Sequence, residues 1–415
     1  MEIMHRRCAG LDVHKASVVA CVRRSGVGGA ETEVRTFKTT TADLMALGEW
    51  LLAEEVGLVA MEATGVYWKP VWHILSASGL ALILANAGHV RNVPGRKTDV
   101  NDATWLAELA AHGLVEASFV PPREVEELRA LMRTRKQLVR ERVSHIQRLE
   151  KVLETANIKL DTLISDLVGP SGRAILEALI RGESDPVRLA GLGSRRLKAT
   201  PAELAAALHG HVTPHHRFLL RLHLDQIDAI DRATGAIDAE AERSLSPFRE
   251  PAELLATMHG IGLLAARSIL GEIGTDMSRF PTDAHLVSWA SLCPRNDQSA
   301  GKHRSRRLRK GGTWLKTLLV QCAWAAVRKK GTHLATRFQT LKARRGAKKA
   351  IIAIARSMLV AAYHMLKTGE TYRSRPVPPR NPAEAEIQRL TTRLAKLRHI
   401  AQTPTNPLSP SSASF

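Results

Sequence analysis

The stretch AGLDVHKASVVACV, residues 9–22, decides the fold of the N-terminal region. Apolar residues alternate along the chain on both sides of the pair His14-Lys15, and a period of two is typical of β-strands. The pattern predicts a hairpin in which Asp12 lies at the end of a buried first strand.

The residues that follow alternate between strand and helix patterns. The sequence predicts a strand at 33–39, a helix at 41–54 with Thr41 as its N-cap, buried strands at 57–63 and 80–87, a helix at 66–75, and a helix at 99–112 that Gly113 closes. Strands followed by helix–strand alternation predict an α/β domain with a mixed sheet over residues 1–115.

Beyond residue 115 the pattern becomes helical. Apolar residues recur at helical spacing from Val125 to Leu153, which predicts a long coiled-coil-like helix, and a second long helix is predicted at 218–245. We expect a helical linker and dimerisation region at 116–250, a mainly helical C-terminal domain at 251–368, and a basic, largely disordered tail at 369–415. The arginine-rich face of 129–151 fits a nucleic-acid contact and a solvated helix surface equally well.

The charge of the chain indicates a polyanionic partner. Lys and Arg number 60 against 40 Asp and Glu, which gives a formal net charge of +20. Such an excess favours nucleic acid over a basic surface without a partner. No apolar run has the length of a membrane span and no signal peptide is evident, so the expected location is the cytoplasm. The four cysteines form no C-x-x-C pair, which favours buried free thiols.

Four carboxylates in the first quarter of the chain are the candidate metal ligands. They are Asp12, Glu62 in GLVAMEATGVYW (57–68), and Asp99 and Asp102 in RKTDVNDATWLAEL (96–109). Adjacent strand ends and a helix N-terminus can converge on one cleft, where like charges require a cation. Oxygen ligands favour Mg²⁺, with Mn²⁺ as an alternative, over zinc. Each acid alone is explained as well by a turn or a helix cap, so the prediction depends on the set of four.

Two further segments suggest contacts to nucleic acid. LLATMHGIGLLAARSILGEIG (254–274) predicts a helix-hairpin-helix in which Gly260 and Gly262 allow backbone N–H groups to face a phosphate, with an ordinary helical hairpin as the alternative. WASLCPRNDQSAGKHRSRRLRKGG (289–312) predicts a basic loop around Ser299, which on composition alone is a turn residue. The cations of this loop are Lys302, Arg304, Arg306, Arg307, Arg309 and Lys310. Further along, Trp314 and Trp324 are predicted on a buried helix face.

The order GLDVHK, MEATGVYW, KTDVNDA resembles the RuvC-like DEDD domain of the Piv-type insertion-sequence transposases. These are the bridge-RNA-guided recombinases of the insertion-sequence one-ten family, and the resemblance covers nearly the whole chain. It implies an RNase H-like fold for 1–115. In that family a serine five positions after a proline is the nucleophile, which implies Ser299 after Pro294, although Ala300 stands where glycine is common. The metal ligands that the resemblance implies are Asp12, Glu62, Asp99 and Asp102.

The expected function is that of a DNA transposase or site-specific recombinase of an insertion sequence. The resemblance implies Mg²⁺-dependent strand exchange through a phosphoserine and guidance by a structured noncoding RNA. The two long helices favour a homo-oligomer, either dimer or tetramer. One alternative is a RuvC-like metal-dependent nuclease or junction resolvase that uses water and forms no covalent intermediate. Another is a non-catalytic nucleic-acid-binding protein whose acids are helix and turn caps.

Overall fold

The structure is a computed structural model that describes residues 2–26, 29–63, 65–85, 90, 102–194, 196–243, 246–294, 297–299, 302–305, 308 and 311–374, with scattered residues between 387 and 398. For 297–299 and 302–305 the description is of the backbone. The chain divides into two compact units, Met1–Pro122 and Arg123–Phe415. The predicted middle and C-terminal regions therefore fall within one unit, and most of the predicted tail lies outside the described residues.

The first unit contains one mixed sheet. Its elements in chain order are β1 (Arg7–Val13), β2 (Ser17–Gly26), β3 (Gly29–Lys38), α1 (Thr41–Ala53), β4 (Leu58–Glu62), α2 (Trp68–Ala77), β5 (Leu82–Ala85) and α3 (Asp102–Ala111). The strand order is β3-β2-β1-β4-β5. β1 pairs antiparallel with β2 and parallel with β4, and β4 pairs parallel with β5. This mixed sheet is consistent with an RNase H-like fold and confirms the predicted hairpin.

Helices cover both faces of this sheet. Alternate residues of β1 and β4, such as Leu11 and Met61, share one core with α1 and α2. The intervening positions, such as Cys8 and Ala60, pack against Trp105 and Leu106 of α3. Since successive strand residues point to opposite faces, the side-chain parity along β1 and β4 decides which residues lie beneath α3.

Two local predictions in this unit were inaccurate. The N-cap of α1 is Thr40 rather than Thr41, because the Thr40 hydroxyl accepts a hydrogen bond from the backbone N–H of Asp43 at 3.3 Å. The third strand begins at Gly29 rather than near residue 33, so that β3 pairs along the whole length of β2. The first residues of this edge strand are mostly hydrophilic and exposed, so they show no apolar alternation from which a strand could be predicted.

Three of the four cysteine thiols are buried, as expected. Burial raises the pKa of the Cys8 and Cys322 thiols to about 11 each. Because the reactive form is the thiolate, we expect both to resist iodoacetamide near pH 8 in the native protein, at roughly a hundredth of the rate of an ordinary thiol or less. The half-buried Cys293 is the internal reference, read by mass spectrometry of peptides. Labelling of Cys8 as fast as Cys293, with all four equal after denaturation, would contradict this prediction.

The described residues of the second unit are mainly helical. The helices are α4 (Arg123–Thr155), α5 (Leu160–Leu163), α6 (Pro170–Arg181), α7 (Pro186–Gly191), α8 (Pro201–Ala207), α9 (Pro214–Arg243), α10 (Arg249–Ala256), α11 (Leu263–Ile273), α12 (Asp283–Trp289), α13 (Thr313–Arg328), α14 (His333–Arg345) and α15 (Ala347–Thr368). Two short strands, β6 (Asp297–Ser299) and β7 (Lys302–Ser305), form a hairpin between α12 and α13.

The two long helices α4 and α9 pack antiparallel against each other. Arg135 of α4 binds Asp238 of α9, and Arg142, further along α4, binds Asp231, further back along α9. These bonds have donor–acceptor distances of 2.6 Å. This part of the arginine-rich face is therefore occupied by ion pairs within the chain, which neither of the two sequence interpretations anticipated.

Among the helices that the structure describes, α15 is long and apolar enough to span a membrane by length and composition. Half of its most apolar window is buried within the protein, among residues such as Ile354, Met358 and Leu359. It contacts α13, α14 and α12, and the Tyr363 hydroxyl donates a hydrogen bond to the backbone carbonyl of Phe280. These contacts are those of the central core helix of a helical domain.

Candidate active site

Asp12 and Glu62 lie at the carboxyl ends of neighbouring parallel strands. Leu11 of β1 is paired with Met61 of β4, so the next residues along the two strands are Asp12 and Glu62. Each is two residues beyond a position that faces α3, Gly10 on β1 and Ala60 on β4. Both carboxylates therefore belong to the face of the sheet that α3 covers.

The first residue of α3 lies toward the same end of the sheet. The start of this helix crosses Gly10, where a Cβ atom would lie only 2.1 Å from the carbonyl oxygen of Ala103. The far end of the helix reaches the beginning of the chain, where the backbone N–H groups of Met4 and His5 bond to the carbonyl of Ala111. Because α3 runs antiparallel to β1, its first residue, Asp102, lies at the end of β1 that carries Asp12.

The fourth predicted ligand, Asp99, lies outside the described residues. Within the described part of the chain, no group of three or more His, Cys, Asp or Glu side chains is close enough to hold a metal ion. The structure nevertheless places Asp12, Glu62 and Asp102 on one face and at one end of the sheet. Their oxygen donors are of the kind that Mg²⁺ and Mn²⁺ prefer.

His14 adds a further polar group at this end of the sheet. Its Nε2 atom lies 3.1 Å from an Oδ atom of Asp12, whose side chain is 22% exposed, whereas the His14 side chain is 59% exposed. Sequence reasoning placed this histidine next to the first acid. The contact holds the imidazole at the mouth of the site, where it can orient the carboxylate.

Residues 254–274 form two helices joined by a turn, and their two glycines have different environments. Gly260 has a φ of +89°, and a Cβ there would lie 2.4 Å from the carbonyl oxygen of Cys322. Close packing against α13 therefore requires this glycine. Gly262 is the N-cap of α11 and has open space around its Cβ position. Of the two, Gly262 is the one whose surroundings leave room for a phosphate.

Ser299 is the last residue of β6 and pairs with Lys302, the first residue of β7. An isolated bridge between Pro294 and Leu308 continues the pairing toward the base of this hairpin. The predicted basic loop is therefore in part a β-hairpin, whose alternation is too short to recognise among so many cations. Lys302 and Arg304 lie on β7, and the other four predicted cations, Arg306, Arg307, Arg309 and Lys310, lie outside the described residues.

Sequence reasoning missed two residues of this architecture. Gly10 admits the helix that carries Asp102, and the available signal was a glycine inside a strand pattern. Trp314 was predicted on a buried face, but it is half-buried and lies beneath the cations of Arg133, Lys136 and Arg140. Trp324 is 40% exposed, so it too departs from the buried face that was predicted.

Two family models match the chain. A DEDD-type transposase model matches residues 9–158, and the model for transposases of the IS116/IS110/IS902 family matches residues 252–339. The transposase of insertion sequence element IS1111A from Coxiella burnetii is 26% identical over 328 residues, which are 77% of this chain and 80% of that protein. The protein of insertion element IS116 from Streptomyces clavuligerus is 27% identical over 281 residues, covering 59% of this chain and 68% of that protein.

The first of these matches contains the four predicted acids. The second contains Ser299 and the two glycines Gly260 and Gly262. The predicted site residues of each unit thus fall in a segment that a family model recognises. The chain belongs to the IS110 family of DEDD transposases and is an enzyme that acts on DNA.

Proposed function

We propose that the protein exchanges DNA strands at the ends of an insertion sequence through a covalent phosphoserine, with a structured noncoding RNA selecting the DNA. The observation that supports this most is the position of Asp12, Glu62 and Asp102 on one face and at one end of the sheet. Carboxylates that share one face and one end of a sheet are suited to a shared divalent cation, which would offset their like charges.

DEDD transposases are metal-dependent, and the donor set here fits a hard divalent cation. Asp12, Glu62, Asp99 and Asp102 are the residues that would hold it, with Mg²⁺ as the proposed ion and Mn²⁺ as a substitute. Bound there, the ion would neutralise charge on the phosphodiester and polarise it. His14, within hydrogen-bonding distance of Asp12, would fix the orientation of that carboxylate.

Ser299 is the proposed nucleophile. Its hydroxyl loses a proton as the oxygen attacks phosphorus, an Oγ–P bond forms, and the bond from phosphorus to one sugar oxygen breaks. That sugar oxygen takes up a proton and leaves as a hydroxyl. A hydroxyl of the incoming strand then attacks the phosphoserine and restores the free serine. The number of phosphodiester bonds is unchanged, so the exchange needs no ATP.

The proposed partners are nucleic acids and further copies of the chain. The net charge of +20 suits DNA together with an RNA guide. A homo-oligomer, either dimer or tetramer, is also part of the proposal. The cytoplasm, where the DNA of a prokaryotic cell lies, is the proposed location.

Trapping of the covalent intermediate tests this proposal. The protein is incubated with labelled element-end DNA, its co-purified RNA and Mg²⁺, then denatured, and label on the protein is measured. We expect an adduct with the wild type and none with Ser299→Ala. Ser305→Ala, which removes a hydroxyl from the other strand of the same hairpin, is the matched control and should retain the adduct. Cleavage of DNA without an adduct would instead support a water-using nuclease or resolvase, and omission of the RNA tests the guide.

A further inference from the structure

A groove in the second unit lies between three helices. It has a volume of about 300 Å³, and its walls come from α4, α11 and α13. Four cationic side chains line it, together with one carboxylate, Glu272, and the ring of Trp314. The four cations are Arg133, Arg135, Lys136 and Arg140.

Two of these cations are neutralised by carboxylates of the chain. Arg133 forms two hydrogen bonds of 2.8 Å to the buried side chain of Glu272. Arg135 forms bonds of 2.6 and 3.0 Å to Asp238. For Lys136 and Arg140, the described part of the chain provides no carboxylate within ion-pair distance.

Lys136 and Arg140 converge on the indole of Trp314. Their charged groups lie 5.5 and 5.4 Å from the ring centroid, and that of Arg133 lies at 5.3 Å. The pKa of Lys136 is lowered by burial and by the neighbouring charge of Arg140, with Glu272 offsetting part of the effect. Clustered like charges destabilise a protein unless an anion is bound. Among the described residues that line the groove, the one carboxylate is Glu272, which is paired with Arg133.

The remaining walls are suited to a nucleotide. Val139 and Leu264, both lining residues, are large apolar side chains with 38% and 41% exposure. Single-stranded nucleic acid is typically held by cations that follow its phosphates and by apolar or aromatic groups that contact its bases. A volume near the lower end of small-ligand sites admits a short stretch of one strand, not a duplex.

We infer that this groove binds the backbone of an unpaired DNA strand, with Lys136 and Arg140 on its phosphates and Trp314 positioning the two cations. DNA is the chosen occupant because the chain is a DNA transposase and Trp314 lies two residues beyond Gly312, where the segment carrying Ser299 ends. The inference rests on this action on DNA, and it does not depend on the serine step of the proposed function.

The test is a binding measurement in which no chemistry takes place. Fluorescein-labelled oligodeoxythymidine is titrated with protein carrying Ser299→Ala, in EDTA, over a range of salt concentrations. Adding Lys136→Gln and Arg140→Gln should weaken binding about tenfold or more. The slope of log affinity against log salt concentration should become shallower by about 1.4, because each phosphate contact to a single strand contributes about 0.7. Failure of the trapping experiment would leave this result unaffected.

The matched control is Arg148→Gln with Lys151→Gln, which removes the same charge from exposed positions of the same helix outside the groove. It should change the affinity by less than threefold or so and the slope by less than half as much. Circular dichroism and the thermal midpoint establish that both double variants are folded. Equal losses in the two variants, unchanged affinity in the groove variant, or a loss seen with oligouridine but not with oligodeoxythymidine would each overturn the inference.

Discussion

Replacement of Asp12 with Asn is expected to lower DNA strand exchange by a factor on the order of 10³ or more, with little change in folding stability. Asp12 occupies the end of β1 beside Glu62, on the face covered by α3. The amide has the same shape as the carboxylate and can still bond to His14, so the packing is retained. What disappears is a negative charge and an oxygen donor for the proposed cation.

A second readout separates a loss of metal binding from a loss of fold. Mn²⁺ or Mg²⁺ should raise the thermal midpoint of the wild type and leave that of Asp12→Asn nearly unchanged, because a ligand stabilises only the state that binds it. Glu49→Gln is the matched control, since Glu49 is an exposed carboxylate on α1, which packs on the opposite face of the sheet. Strand exchange by Asp12→Asn within tenfold or so of the wild-type rate would remove Asp12 from the proposed metal site.

The arrangement of the acids on the sheet was predictable because it depends on local patterns. Period-two alternation fixes the face on which a strand residue lies, and the order of strands and helices fixes which strand ends are adjacent. Asp12 and Glu62 could therefore be assigned to one edge from their positions alone. The direction of α3 could not, because it depends on the close approach at Gly10, a contact between residues more than ninety positions apart.

Which cations of the arginine-rich helix form ion pairs within the chain could not be predicted either, because this too depends on contacts between distant residues. The sequence does not distinguish Arg133 and Arg135 from Lys136 and Arg140, because all four are cations within about two turns of α4. Their environments differ because Glu272 and Asp238, which arrive from distant parts of the chain, reach the first pair only. Charge patterns identify a basic helix, but only tertiary structure shows which charges remain for a ligand.

Replacement of Gly10 with Ala is expected to destabilise the first unit by about 3 kcal/mol and to abolish most strand exchange. The added methyl group would lie 2.1 Å from the carbonyl oxygen of Ala103 and 2.5 Å from the backbone nitrogen of Ala107. Both obstructing atoms belong to the helix backbone, so no side-chain rotation can make room. The helix must move away from β1, and Asp102 at its first position moves with it.

Gly26→Ala is the matched control for this prediction. Gly26 ends β2 in the same sheet, and a Cβ at that position would have nothing within 4 Å. Both changes reduce the conformational entropy of the unfolded chain by the same amount. Where the backbone accommodates alanine, this effect slightly stabilises the folded state. Urea denaturation followed by circular dichroism should show a large loss for Gly10→Ala and none for Gly26→Ala. Equal stability of the two variants would mean that α3 does not pack on β1 as closely as the structure describes. The placement of Asp102 at the same end of the sheet as Asp12 would then no longer be supported.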